Sequence, residues 1–401
     1  MKTKILLIVS IITLTFSLTA CFNNKNDLSQ AEFDKLSIEK KAEYTLNNMT
    51  LDEKIAQMLI VYYTGNSYDD ILQKTIKEVK PGGFILMNEN ITTYEKTLSM
   101  VTGMQKDSSI PMIISIDQEG GTVQRLQKIS DKEVSYIPSM YYVGKTNDAK
   151  LAYELGKIMA NQLRTIGVNL DFAPVVDINN NPKNEVIGKR SFGNNANTVT
   201  DMALSLQKGL EENKINTCIK HFPGHGDTEV DSHYSLPIIN KNYDELESLE
   251  FIPYKKAIEQ NTNMIMIGHI ALPQITGDKT PASLSKTIIT DILKNKLGYK
   301  GLVVTDALNM GALTNSYTDK EIYTMAINAG VDLLLMPRGS KAAIKYIKES
   351  IDEGKITTKQ IDNSVKKILI YKYKNIDENY LDQSYLNKSE YDDVLSKIKT
   401  K

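Results

Sequence analysis

Cysteine is almost missing: the 401-residue chain has two, Cys21 and Cys218. With Cys21 lying at the end of an N-terminal apolar run, no disulfide framework can be built. Cys218 falls in the apolar stretch from Ile215 to Ile219 and reads as a buried, inert thiol. Charge of one sign is also lacking. Lys and Arg number 48 against 49 Asp and Glu, a net charge of -1, so composition gives no reason to expect nucleic acid as a partner. Histidine is scarce at four residues, and three of them fall in one short segment, which marks that segment for closer reading. The apolar run that opens the chain, Ile5 to Ala20, is too short for a comfortable membrane span.

That opening run has the form of a targeting segment. Lys2 and Lys4 precede it, and it closes on Leu18-Thr19-Ala20-Cys21, a small-residue cleavage site directly before a cysteine. The pattern resembles a bacterial lipoprotein box. It implies that residues 1–20 are a signal peptide, that Cys21 is the lipidation site, and that 21–37 form a polar tether. The protein would then be held on the extracytoplasmic face of the cell membrane, touching it through the lipid anchor only. An ordinary secretory signal with an incidental cysteine is the alternative.

The remainder has ordinary globular composition, 41% hydrophobic and 24% charged. Its length suits two average domains or one large α/β barrel. Alternation decides between them. Short β-rich runs lie at Met58–Val61, Gly83–Met87, Met112–Ile116, Val168–Ala173, Asn216–His221, Met264–His269, Leu302–Thr305 and Val331–Met336, eight in all. Helical periodicity fills the intervals, as in Leu151, Leu155, Ile158, Met159, Leu163 and Ile166, closed by Gly167 at an expected C-cap. Similar patterns cover Met202–Leu210, Ile252–Ile258, Ile288–Leu297 and Ala342–Ile347. Near-continuous apolar strands alternating eightfold with helices predict a single TIM-type (β/α)8 barrel over residues 38–375, followed by a charged tail at 376–401.

In such a barrel, chemistry belongs at the C-terminal ends of the strands. Strand three runs into Asp117-Gln118-Glu119-Gly120-Gly121, strand five into Lys220-His221, strand six into His269 and strand seven into Asp306. Singly, each of these has a bland reading as a helix cap or a satisfied core polar residue. Their convergence on one rim argues for a site. The densest segment, Lys220 to His233, carries His221, His225 and His233. Its Pro223, Gly224 and Gly226 make it a loop over the strand ends. Asp231 and His233 are two apart, a spacing that lets the carboxylate fix the imidazole's tautomer and raise its basicity for proton transfer near neutral pH. Histidines with carboxylates also suggest a divalent ion in an amidohydrolase-like barrel. Against it, Pro223-Gly224 prevents the helix that would set His221 and His225 on one face.

Five segments together resemble a known family. They are Asp117-Gln118-Glu119-Gly120-Gly121-Thr122-Val123-Gln124-Arg125, Asp171-Phe172-Ala173-Pro174-Val175-Val176-Asp177 and Gly188-Lys189-Arg190-Ser191-Phe192-Gly193. The fourth is Lys220-His221-Phe222-Pro223-Gly224-His225-Gly226-Asp227-Thr228 with Asp231-Ser232-His233 and Leu236-Pro237, and the fifth is Val303-Val304-Thr305-Asp306-Ala307-Leu308-Asn309-Met310-Gly311. The set is similar to the bacterial β-N-acetylglucosaminidases of glycoside hydrolase family 3. That resemblance implies a retaining exo-acting enzyme with Asp306 as nucleophile and His233, oriented by Asp231, as general acid/base. Asp117, Arg125, Arg190, Lys220 and His221 would bind the terminal sugar, no cofactor or metal is implied, and the partners would be N-acetylglucosamine-containing glycans such as muropeptides or chito-oligosaccharides. For Arg125 and Arg190 an ion pair at the barrel rim is the structural alternative.

Retaining hydrolysis ordinarily uses two carboxyl groups. Histidine in place of one avoids carboxylate repulsion with the nucleophile and leaves open whether phosphate, as well as water, accepts the sugar. Many β-glucosidases of the same family carry a second α/β domain, for which the charged tail after the helix at Ile361–Tyr371 leaves no room. A β-glucosidase remains the enzymatic alternative. A sugar-binding lipoprotein without activity is the alternative from another class.

Overall fold

A computed structural model describes residues 28–129, 134–376 and 388–400. Cys21, the signal peptide and the first part of the tether lie outside the described residues.

All eight apolar runs contribute strands, mostly shorter than their sequence limits. β1 is Leu59–Val61, β2 Gly83–Leu86 and β3 Ile113–Ile116. β4 (Gln118–Gly120) and β5 (Val123–Gln124) form an antiparallel hairpin above β3. β6 is Leu170–Asp171, β7 Asn216–Thr217, β8 Ile219–Phe222, β9 Met264–Ile267, β10 Leu302–Thr305 and β11 Leu334–Leu335. A six-stranded sheet runs β11-β1-β2-β3-β6-β7 and a three-stranded sheet runs β10-β9-β8. Every pair within them is parallel. Two single parallel bridges, Val175 to Lys220 and Val304 to Leu333, link the sheets. The result is an α/β fold on a curled parallel sheet, with β2, β3, β8, β9 and β10 buried at every position as a sheet covered on both faces requires.

The run expected as one strand at Asn216–His221 is divided at Cys218. Its N–H is shared between Asp171 O at 3.0 Å and Ala173 O at 3.2 Å, so the chain leaves β6 as its partner and pairs onward with β9. The Cys218 side chain is fully buried, as its apolar setting predicts.

The helices follow their apolar faces. Ala149–Arg164 starts where Asp148 Oδ1 accepts the Lys150 and Leu151 N–H groups, and buries Leu151, Leu155, Ile158, Met159 and Leu163. Gly167, at φ 81°, turns the chain out of it. This helix lies against Ala196–Glu212 with backbones nearly touching: a Cβ on Gly156 would sit 2.3 Å from Leu206 O, and one on Gly209 would sit 2.1 Å from Tyr153 O. The segment expected as an α-helix at Ile288–Leu297 winds instead as a π-helix over Thr287–Lys296, still burying Ile288, Ile289, Ile292 and Leu293.

Both expected polar termini contain folded parts. Gln30–Asp34, inside the predicted tether, is a helical turn capped by Ser29. Its Phe33 ring lies 5.8 Å from that of Tyr44 and 5.9 Å from that of Tyr373. In the predicted charged tail, Lys388–Ser396 is a helix, and Tyr391 and Ile398 are buried. An apolar residue between charges is enough to seat each on the body. Among the described residues no helix is long and apolar enough to cross a membrane.

One core residue carries a cost that can be measured. Lys372, on the helix Thr358–Asn375, is fully buried, and its Nζ bonds the neutral Gln57 Oε1 at 2.7 Å. Burial pulls its pKa down to about 7. The unfolded chain therefore holds a proton that the folded chain has lost between about pH 7 and 10.5, so stability rises with pH across that window. The difference of about 3.5 units corresponds to about 5 kcal/mol, an upper scale for the penalty at and below pH 7. Denaturant unfolding of the wild type and of Lys372→Met should show the wild type gaining relative stability from pH 7 to 10, whereas a constant difference across that range would contradict this account.

Candidate active site

The strand ends assemble a cavity of about 270 Å³ lined by Asp306, His233, Asp117, Arg125, Arg190, Lys220 and His221. Seven of the residues singled out in the sequence thus meet in one place. Asp231 stands directly behind His233, and Ile85, Met87, Met266, Leu335 and Met336 supply apolar walls.

The floor is an alternating array of charge. Lys220, 3% exposed in its side chain, places Nζ 2.7 Å from Asp117 Oδ1 and 2.6 Å from Glu119 Oε1. Glu119 in turn takes a two-pronged bond from Arg190, 2.7 Å from Nε and 2.8 Å from Nη2. Burial alone would push the Glu119 carboxyl up, but Arg190 and Lys220 hold it well below the usual carboxylate range. Burial works likewise against the charge on Lys220, and Asp117 with Glu119 drives its pKa upward nonetheless. Arg125 Nη2 is 3.4 Å from Asp117 Oδ2, while its buried Nε has no partner among the described residues. The ion-pair reading of Arg125 and Arg190 is therefore correct as geometry, yet both still face the cavity.

A second buried group supports His221. Asp177 Oδ2 accepts from His221 Nδ1 at 2.7 Å, and Oδ1 accepts the His221 and His225 backbone N–H groups at 3.3 and 2.6 Å. Burial opposes its ionisation, but His221, His225 and these bonds keep its pKa low. His221 Nε2 is left facing Arg190 Nη2 at 3.4 Å. The Lys220–His221 peptide bond is cis.

Asp306 follows β10 directly, and its Oδ1 accepts the Ala307 N–H at 2.7 Å. Burial pushes its carboxyl up; His269, His221, the Ala307 N–H and Lys220 outweigh burial and hold it below its ordinary value, so it is ionised at neutral pH. His269, expected at the rim, is fully buried below that turn. Its Nε2 is 3.0 Å from Ala307 O, an atom that can only accept, so Nε2 carries the hydrogen and Nδ1 accepts from Ser283 Oγ at 2.7 Å. It supports the Asp306 turn from underneath.

On the opposite wall, Asp231 Oδ1 binds His233 twice, at 2.9 Å from the backbone N and 2.7 Å from Nδ1. A turn, closed by the Tyr234 N–H on Asp231 O at 3.0 Å, gives the two-apart pairing that the sequence predicts. The His233 side chain is 63% exposed, so Nε2 is free to meet a ligand from the solvent side of the cavity. Burial opposes ionisation of Asp231, but the His233 N–H and imidazole lower its pKa.

Glu119, Asp171, Asp177 and His225 belong to the site and were not singled out as such. All four lie inside the quoted motifs, and the signal for Glu119 was its alternation with Asp117 at a strand end. Asp171 is fully buried with Oδ1 on the Gln118 N–H at 3.0 Å and, among the described residues, no partner for Oδ2; burial raises its pKa well above the ordinary carboxylate value. His225 is buried against Thr228 Oγ1 at 2.6 Å, and burial with the neighbouring His221 pulls its pKa down to about 4. Among the described residues no group of three or more His, Cys, Asp or Glu side chains is arranged to hold a metal ion.

The chain is 32% identical over 331 residues to Beta-hexosaminidase A of Pseudoalteromonas piscicida, covering 76% of this chain and 55% of that protein. It is 32% identical over 262 residues to Beta-hexosaminidase of Neisseria gonorrhoeae, covering 64% of this chain and 71% of the other. The solved structure of a glycoside hydrolase family 3 β-N-acetylglucosaminidase from Paenibacillus sp. str. FPU-7 superposes with a TM-score of 0.81 at 33% identity, over 87% of this chain and 69% of that one. Residues 50–370 match the Glycosyl hydrolase family 3 N terminal domain, and the chain belongs to that family.

Proposed function

We propose that this protein is a retaining exo-β-N-acetylglucosaminidase that removes terminal N-acetylglucosamine from glycans. One observation carries the reading: an ionised Asp306 and a carboxylate-held His233 border the same small cavity, whose floor is charged and hydrogen-bonding. A volume of about 270 Å³ is at the low end for ligand pockets and suits one sugar ring better than a continuing chain, which supports exo action. Relatives named β-hexosaminidase support the N-acetyl sugar over glucose.

In this mechanism Asp306 attacks the anomeric carbon as His233 Nε2 gives its proton to the departing oxygen, leaving a glycosyl ester on Asp306. His233 then takes a proton from water, which attacks the same carbon and frees Asp306. Two inversions give retention. Asp231 holds Nδ1, so the proton moves at Nε2. Asp117, Lys220, Arg190 and His221 bind the ring's hydroxyl groups, and the unpartnered Arg125 Nε is a donor for an oxygen of the substrate. The bridges Val175 to Lys220 and Val304 to Leu333 support reading the curled sheet as one (β/α)8 barrel, with these residues on its C-terminal rim. Cys21, after the signal-like run, is proposed as a lipid anchor holding the enzyme outside the cytoplasmic membrane, where cell-wall fragments supply N-acetylglucosamine.

Three outcomes follow. Asp306→Asn should lose turnover of a chromogenic N-acetyl-β-glucosaminide by on the order of 10³-fold or more while remaining folded; a variant that kept much of its rate with retained product would remove Asp306 from this role. His233→Ala should cut hydrolysis of substrates with poor leaving groups by about two to four orders of magnitude and spare activated aryl glycosides, with partial rescue by azide. A defect independent of the leaving group and corrected by zinc would favour metal chemistry instead. Cys21→Ser should move the protein from the membrane fraction to the soluble one, and continued co-fractionation with lipid would refute the anchor.

A further inference from the structure

His233 needs a defined position, yet its side chain is mostly exposed and, among the described residues, its imidazole bonds only Asp231, its own near neighbour in the chain. What fixes the loop is backbone. The Gly311 N–H donates to His233 O at 3.0 Å, and the Ala312 N–H to Ser232 O at 3.1 Å. Asn315 Nδ2 donates to Tyr234 O at 2.8 Å. Gly311 and Ala312 open the short helix Gly311–Thr314 and Asn315 caps it, a few residues after Asp306, so the segment that follows the proposed nucleophile also grips three consecutive carbonyls of the acid/base loop.

The grip depends on an absent side chain. A Cβ on Gly311 would stand 2.7 Å from both His233 O and Tyr234 O, a separation that only backbone movement could relieve. Gly311 is not among the positive-φ glycines, so alanine would fit its backbone conformation. Glycine is needed here for close approach. From the other side, His225 Nε2 reaches Ser232 Oγ at 3.4 Å and adds a weaker hold.

We infer that Gly311 and Asn315 are positioning residues for the general acid/base, docking the His233 loop onto the turn that follows the nucleophile. The inference rests on the proposed glycosidase reading. Loss of the dock would leave the charged floor and Asp306 intact while moving the proton donor. A shift of about 1 Å at a reacting group costs up to about a hundredfold in rate.

The test compares wild type, Gly311→Ala and Asn315→Ala in the full-length protein, using N-acetyl-β-glucosaminides of graded leaving-group ability and the affinity for free N-acetylglucosamine. Gly311→Ala should lower kcat by about tenfold to a hundredfold on poor leaving groups and much less on activated aryl ones, with sugar affinity within about twofold of wild type. Asn315→Ala should show the same pattern more weakly, and the two changes should combine less than additively because they release the same loop. Unchanged rates, a loss equal for all leaving groups, or a parallel loss of sugar affinity would each overturn the inference. A wild type without N-acetylglucosaminidase activity would instead overturn the functional reading itself.

Discussion

Lys220 is the point on which the site depends. Its ammonium is buried between two carboxylates, Asp117 at 2.7 Å and Glu119 at 2.6 Å, and so ties the end of β3 to β8. Taking a single charge out of water costs several kcal/mol, a cost met only when partners surround it. Glu119 therefore needs Arg190 as well as Lys220, and Arg190 draws in His221, which Asp177 holds from behind. Removing one member would strand the charge of another, so the array is rigid as a unit. Rigidity is what a sugar pocket requires, since directional hydrogen bonds discriminate hydroxyl groups only when their donors and acceptors are already in place.

Above this rigid floor the two groups proposed to form the bond and move the proton are held differently. Asp306 is half-buried and fixed by the Ala307 N–H, with His269 underneath. His233 stands on a loop whose side chains are largely in solvent, and its place is set by carbonyl bonds to Gly311, Ala312 and Asn315. In the proposed reaction a half-buried nucleophile would meet the anomeric carbon, whereas an exposed acid/base would meet an oxygen that must leave toward solvent. The division of burial between the two residues matches the direction of the reaction.

Much of this was legible beforehand, for identifiable reasons. Strands such as Leu302–Thr305 announce themselves because a parallel sheet covered on both faces leaves few polar positions. The Asp231–His233 pair was legible because its partners are two residues apart, where the chain itself brings them together. What stayed hidden depends on distant partners. The division at Cys218 arises from carbonyls of Asp171 and Ala173, far back in the chain. Glu119 looks like a solvated carboxylate until Lys220 and Arg190 close on it, and Asp177 becomes a histidine's support only through a contact 44 positions along. The polar ends misled for a related reason: Phe33 and Tyr391 lie in stretches rich in charge, and their docking surfaces do not exist until the body has folded.

The central claim is a covalent sugar ester on one carboxylate of a bound monosaccharide site. Rapid acid quenching during turnover of an N-acetyl-β-glucosaminide, followed by proteolysis and peptide mass spectrometry, measures it directly. The account predicts one N-acetylhexosamine attached to the peptide containing Asp306, absent when the matching glucoside is supplied at the same concentration. An adduct on another residue, or steady turnover with no adduct at any quench time, would contradict it.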